Sequence, residues 1–533
     1  MALKGEIIMV IFMFVIIVVG FMLAVICARY VHKWIVVRRL TRLFGYPIND
    51  DSFHYLNKEY YHQLSQKEMT STIVDDFELD RVFNLMNRTY SDVGREYMYA
   101  QLFSSQHQHV LLESIISNLQ DPKKFKKTLY ELYRLSQTYS ESLELFEHLQ
   151  FLSRFDLLIV IVSSLCPLLF LGAGLIYGVQ VFQYVILWIS LQGMLYAHYT
   201  KKTNHALTQA SSYCYLASTL NKLNRLSIYP QAETEKIKRM THTALRYTWI
   251  NKIDDFVSDI DVFYIMELIK GIFSLPIYQC YFLKKHSDEL IDDFLKMYEY
   301  VGIVDMAIAI MSIRQSYATC IPEIRVEEGI CFQECYHPLL EEPVKNSFST
   351  HCSCLITGSN ASGKSTFLKT IGVNIMMAKA YHTCFADEFS YYPYYLCSSI
   401  HMKDDIESGD SYYVKEIKTL KTILDHVKQQ KCIVFIDEIL RGTNEKERVM
   451  IAKAILQFLF SSDSLIFVTT HDLSIVQSFD DIDKYCFNDY IHHNELCSDY
   501  KIKHGVCTVG NAIALLEVYG FDQDVISELK KPI

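Results

Sequence analysis

An α/β domain placed after a long α-helical region that crosses a membrane three times is the fold class this sequence predicts. Three observations carry it. Residues 7–28 and 157–200 are apolar stretches without a formal charge. Residues 105–156 and 203–300 carry apolar positions at three- and four-residue spacing, such as Leu111, Ile115 and Leu119, the period of a helix with one buried face. From about residue 350 onward, short β-rich apolar runs alternate with helix-like segments.

The α/β part opens on an apolar run at residues 352–356, read as a buried strand, and continues into a helix over residues 366–379. Between them, residues 357–366 read Thr-Gly-Ser-Asn-Ala-Ser-Gly-Lys-Ser-Thr and fit the phosphate-loop pattern G-x-x-x-x-G-K-[ST]. Backbone N–H groups of such a loop, together with the following helix N-terminus, favour an anion. Gly358, Ser359, Asn360, Ala361, Ser362, Gly363, Lys364, Ser365 and Thr366 are therefore the candidate phosphate-binding residues. Lys364 is placed to reach the β- and γ-phosphates, and the Ser365 hydroxyl to ligate Mg²⁺.

A second strand-like run, residues 431–436, ends in Asp437 and Glu438. A carboxylate at a strand end, Asp437, can hold Mg²⁺ through water, and Glu438 can orient or deprotonate an attacking water. A third run, residues 464–470, ends at His471, placed to sense a γ-phosphate. Three such elements in this order, each after a strand, point to nucleoside triphosphate hydrolysis.

Residues 401–417 read HMKDDIESGDSYYVKEI and residues 437–444 read DEILRGTN. With the ITGSNASGKST loop, these resemble the ATPase domain of the MutS family of DNA mismatch-repair proteins. The resemblance takes in His337-Pro338, Tyr500-Lys501-Ile502, Gly505 and the segment 511–519, and runs more weakly through residues 77–94 and 301–322. It implies an α/β P-loop ATPase domain of ABC/MutS type, ATP with Mg²⁺ as cofactors, and a homodimer with DNA as a partner. It also implies that Ser411 of one subunit completes the nucleotide site of the other, with Glu416 as the glutamate that follows it. The chain departs from the family pattern at Leu440, where the family has glycine, and at residues 444–447, which read Asn-Glu-Lys-Glu. Residues 342–346 supply no aromatic to stack on adenine, which leaves adenine or guanine open. Nothing before residue 75 resembles the mismatch-reading domain.

The run 7–28 is 22 residues long, enough to cross about 30 Å of hydrocarbon at roughly 1.5 Å per residue. The 44 residues of 157–200 fit two further helices joined near Tyr177-Gly178. Arg29, Lys33, Arg38, Arg39 and Arg42 follow the first span, and Lys201 and Lys202 the last. Under the positive-inside rule, the amino terminus lies outside and residues 29–156 and 201–533 in the cytoplasm, where ATP is available. The expected order is a membrane helix to residue 28, a basic linker at 29–74 and a first helical core at 75–156. A membrane hairpin at 157–200, a second core at 201–325 and the ATPase domain at 326–533 complete it.

The formal net charge is −10 over 533 residues, half of them apolar, and mean hydropathy is +0.10. No extended basic face is visible along the chain. Lys123, Lys124, Lys126 and Lys127 form a tight cluster that reads as a solvated helix start. Fifteen scattered cysteines without paired C-x-x-C sets read as free thiols rather than a zinc site. A membrane-anchored ATPase related to DNA mismatch repair is the favoured reading. A membrane switch using ATP for conformational control, or a transporter-like ATPase, is the alternative, although no L-S-G-G-Q signature is present.

Overall fold

The computed structural model describes residues 30–46, 71–104, 107–138, 154–177, 182–247, 269–359, 362–400, 412–440, 445–492 and 495–507, and isolated residues before 30. The chain divides into two compact units. One comprises residues 1–63, 88–100 and 108–312, and the other residues 64–87, 101–107 and 313–533.

The first unit is helical. Helix α1 covers residues 30–43. The second unit holds α2 (Ser71–Asp76) and α3 (Leu79–Met86), after which the first unit resumes with α4 (Asp92–Gln101), α5 (His109–Leu119) and α6 (Pro122–Thr138). It continues through α7 (Arg154–Tyr177), α8 (Phe182–Arg225), α9 (Gln231–Tyr247), α10 (Leu275–Lys285) and most of α11 (Ser287–Ser316). A buried carboxylate fixes α4 on α11. Asp305 accepts the N–H groups of Tyr90 (2.9 Å) and Ser91 (2.8 Å) and the Ser91 hydroxyl (2.6 Å). Burial raises its pKa to about 6 against those hydrogen bonds, which favour the charged form. Glycine is needed where the helices meet: a Cβ at Gly94 would lie 2.3 Å from Asp305 Oδ2, and one at Gly302 2.5 Å from Tyr97 Cβ.

Among the described residues, no helix is long and apolar enough to cross a membrane. The expectation of three membrane-spanning helices is corrected accordingly, and with it the bilayer as partner and the multi-pass location with its assignment of sides. Residues 157–177 and 182–200 do form helices, but α8 continues unbroken past Thr200 through Lys201 and Lys202 to Arg225. Polar side chains inside the stretch take protein partners. The buried Gln192 donates to the carbonyl of Ile272 (3.1 Å) and to Ser274 Oγ (2.9 Å), and Ser164 Oγ lies 2.9 Å from Tyr278 Oη. In residues 182–200, glutamine, serine, histidine and threonine lower the apolarity that the absence of formal charge suggested. The expected first span, residues 7–28, falls almost wholly outside the described residues.

The second unit carries two main sheets. A four-stranded sheet has the order β1-β5-β2-β3, with β1 Glu323–Ile324, β2 Ile330–Cys335, β3 Asn346–Thr350 and β5 Glu388–Tyr391. A six-stranded sheet has the order β12-β9-β4-β8-β7-β6, and β10 (Asp489–His492) pairs antiparallel with β11 (Glu495–Ser498) beside it in sequence. Its strands are β4 Cys354–Thr357, β6 Tyr395–Ser399, β7 Cys432–Asp437, β8 Leu465–Thr469, β9 Asp483–Cys486 and β12 Lys503–His504. All neighbours pair parallel except β12 with β9. Strands β4, β7 and β8 are buried along their whole length, as parallel strands covered on both faces must be. Helix α12 (Lys364–Tyr381) follows β4, α13 (Tyr412–Gln429) precedes β7, and α14 (Glu445–Phe460) precedes β8. Phe332 stacks on Phe389 at 5.9 Å, and Phe348 meets Phe367 of α12 at 5.7 Å. The segment 75–78 belongs here: Asp76 accepts the N–H of Ile400 (3.0 Å), Phe77 packs against Phe435, and Glu78 pairs with Lys369 at 2.9 Å.

Candidate functional site

Parallel pairing brings the ends of β4, β7 and β8 to one edge of the sheet. Asp437 sits opposite Thr469, and Ile356 opposite the same residue on the other side. Such a carboxyl edge is where open α/β sheets bind ligands. The phosphate loop leaves β4 here and turns into α12 through backbone that only glycine takes without strain. Gly358 has φ 151° and Gly363 φ 104°. A Cβ at Gly358 would lie 2.8 Å from Ser362 Oγ and 2.9 Å from the Phe487 carbonyl. Ser362 Oγ donates to the Ser359 carbonyl at 2.8 Å, and the buried Lys364 Nζ donates to the carbonyls of Gly358 (2.8 Å) and Ser359 (2.5 Å). The lysine therefore lies across the loop, its charge at the head of α12.

One residue on, Ser365 Oγ donates to Asp437 Oδ2 at 2.8 Å, and Thr469 Oγ1 donates to the other carboxylate oxygen. Glu438 turns out of β7 with φ 57°, its N–H bonded to the Thr469 carbonyl at 3.1 Å. Its Oε1 lies 3.1 Å from His471 Nδ1. The His471 segment is held in turn by Asp472, which caps helix α15 (Leu473–Val476) and pairs with Arg448 of α14 at 3.1 Å. Lys364, Ser365, Asp437, Glu438 and His471, named from sequence in three separate motifs, are thus brought together. Thr366 stands in the first turn of α12. Asn360, Ala361, Ser411 and residues 441–444 lie outside the described residues.

Leu440 explains its own departure from the family pattern. Its φ is 61°, a left-handed backbone suited to glycine. The side chain is fully buried in a cluster with Leu456 and Ile475, and the N–H donates to Glu416 Oε1 at 2.6 Å. Glu416, on α13, is itself buried, so this contact ties the helix after the Ser411 segment to the turn that carries Glu438.

Sequence reasoning missed a cavity of about 320 Å³ beside the loop. His337, Asn346, Gly363, Phe367, Phe487 and Tyr500 are among the residues that line it. The Tyr500 ring comes within 3.1 Å of where a Gly363 Cβ would stand. Asn346 holds the tyrosine segment at both ends, donating to the Tyr500 carbonyl (3.0 Å) and accepting the N–H of Ile502 (3.0 Å). Burial lowers the pKa of His337 to about 4, keeping the ring neutral. These residues come from five stretches of chain, so although the resemblance named His337 and Tyr500, no local pattern announces that they meet.

Among the described residues, no group of three His, Cys, Asp or Glu gathers as a metal cage. One hydroxyl and one carboxylate, Ser365 and Asp437, offer the hard oxygen donors that fit Mg²⁺, an ion that commonly keeps waters and takes further ligands from phosphates.

Residues 354–532 match the family model of MutS domain V. The similarity is to the MutS family. The MutS protein homolog 4 of Mus musculus is 30% identical over 210 residues, 38% of this chain and 21% of that protein. The DNA mismatch repair protein MutS of Synechococcus elongatus is 29% identical over 168 residues, 29% of this chain and 18% of its own length. The endonuclease MutS2 of Staphylococcus carnosus is 27% identical over 249 residues, 44% of this chain and 31% of that one. The chain thus spans between about a fifth and a third of these MutS relatives.

Proposed function

We propose that this chain is a Mg²⁺-dependent ATPase of MutS type that works as a homodimer in DNA mismatch repair or a related DNA-processing step. The observation that carries the reading is the convergence, at one carboxyl edge, of Lys364, the Ser365–Asp437 pair and the Glu438–His471 pair. The N–H groups of the loop and the Lys364 ammonium bind the phosphate chain. Mg²⁺, when bound, would supply positive charge against the negative charge that develops on the phosphate. Ser365 and Asp437 would hold it, with Thr469 fixing the Asp437 carboxylate. Glu438 orients the attacking water and accepts its proton, and His471, anchored by the same carboxylate, faces the terminal phosphate. The cavity lined by Phe367, Phe487 and Tyr500 receives the base beside the loop. DNA as partner follows from the similarity to the mismatch-repair proteins.

In the dimer, Ser411 of one subunit completes the site of the other, which makes hydrolysis depend on two chains. Lys364→Ala and Ser411→Ala chains are each expected to be inactive as homodimers. Mixed, they should form one intact site per heterodimer and recover a substantial fraction of turnover. Absence of recovery, with heterodimers verified by mass, would count against shared sites.

A further inference from the structure

Outside the nucleotide site, the first unit brings together two groups of cations that are far apart in sequence. Helix α1 lies against α6. The Phe44 and Phe125 rings meet edge to face at 4.8 Å, and Lys33 Nζ stands 4.2 Å from the Tyr130 ring centre. Exposed on the two helices are Arg38, Arg39 and Arg42 of α1 and Lys123, Lys126 and Lys127 of α6. Among the described residues, none of these six forms an ion pair with a carboxylate. Over a chain of net charge −10, they make a concentrated cationic surface.

The lysines are not explained by local stability. Helix N-termini carry partial positive charge, so cations in the first turns cost a few tenths of a kcal/mol each. Helix α6 nonetheless opens Pro-Lys-Lys-Phe-Lys-Lys with no acid in its first turn, held by the Asp121 side chain accepting the Lys123 N–H at 2.8 Å. One apolar stripe of α1 packs inside the unit, with Val36 and Leu40 buried and Phe44 on Phe125. Outward, α1 presents the guanidinium groups of Arg38, Arg39 and Arg42 beside exposed Trp34, Ile35 and Leu43, with Arg38 stacked 4.9 Å from the Trp34 ring centre. Two adjacent helices, each about 10 Å across, offer cations over roughly 20 Å, the axial length of about a dozen duplex phosphates.

We infer that the α1–α6 surface is a docking site for the phosphodiester backbone of duplex DNA, bound without regard to sequence. The choice of polyanion rests on the proposed DNA-directed function, but the site itself lies outside the residues matched to MutS domain V. Binding is measured without nucleotide, so loss of this site and loss of ATPase activity are told apart.

The test is fluorescence anisotropy of a labelled duplex of about 25 base pairs with the full chain, titrated between 50 and 200 mM salt. Six backbone contacts predict a slope of log K on log salt near −5, about −0.9 per phosphate. Arg39→Gln/Arg42→Gln and, separately, Lys123→Gln/Lys126→Gln/Lys127→Gln should each weaken binding at least tenfold and flatten the slope by about 2 to 3. Lys236→Gln/Lys238→Gln, the same two-charge loss as the arginine pair, placed on α9 where both lysines already pair with Glu233 and Glu235, should leave it unchanged. The inference is overturned if the wild-type chain does not bind duplex at 50 mM salt, or if the α9 control loses as much as the other two. Capture by phosphatidylserine vesicles without duplex binding would overturn it in favour of an anionic lipid surface.

Discussion

At the scale of single residues, Leu440 and His337 each hold a conformation or charge state that a sequence pattern cannot show. Leu440 takes the left-handed backbone that glycine prefers, yet its side chain is fully buried. Leu440→Gly relieves the strain, worth about 1 kcal/mol, and forfeits a buried leucine worth about 3. We expect a net loss of about 2 kcal/mol in urea unfolding, with the Glu416 hydrogen bond to the backbone N–H retained. For His337, the folded pKa of about 4 lies below the ordinary value of 6.5. As pH falls through that window, the unfolded chain takes up a proton that the folded ring refuses, so stability is present above pH 6.5 and lost towards pH 4. His337→Asn keeps an acceptor for the Leu339 N–H and removes the titration, so the variant should lose less stability than wild type between pH 6.5 and 4. Asp305, with its pKa raised to about 6, acts with the opposite sign over part of this range and is common to both proteins. Their difference therefore reports His337 alone.

At the scale of elements, what was legible in the sequence is what lies contiguous in it. The β4–loop–α12 unit is one stretch of chain, and each of β7 and β8 carries its functional side chain at its own end. Parallel pairing then does the assembly. The cavity beside the loop was not legible as a cavity, because His337, Asn346, Phe367, Phe487 and Tyr500 approach only after folding. The cationic surface was missed for the same reason: α1 and α6 are some eighty residues apart, and each basic group alone looked like an ordinary flank. Residues 182–200 were misread in a different way, since the absence of charge stood in for apolarity while Gln192 had polar partners in the fold. The weakly similar segments 77–94 and 301–322 do meet in part, where Asp305 caps α4 and Gly94 admits it. Gly94→Ala drives a methyl into that carboxylate, and we expect about 2–4 kcal/mol of destabilisation, read as an earlier urea midpoint. An unchanged midpoint would show that α4 shifts away freely.

For the whole molecule, the central claim is that the carboxyl edge of the six-stranded sheet hydrolyses ATP with the division of labour given above. In that reading Lys364 would hold phosphate, while Glu438 would act on water and not be needed for binding. The most direct measurement compares ATP binding, by equilibrium dialysis with Mg²⁺, and single-turnover hydrolysis in wild type, Lys364→Ala and Glu438→Gln. The account predicts that Lys364→Ala loses both binding and turnover. Glu438→Gln should bind ATP as wild type does and hydrolyse it on the order of a hundredfold or more slowly, the scale of a lost general base. Wild-type turnover in Glu438→Gln, or undiminished ATP binding in Lys364→Ala, would contradict it.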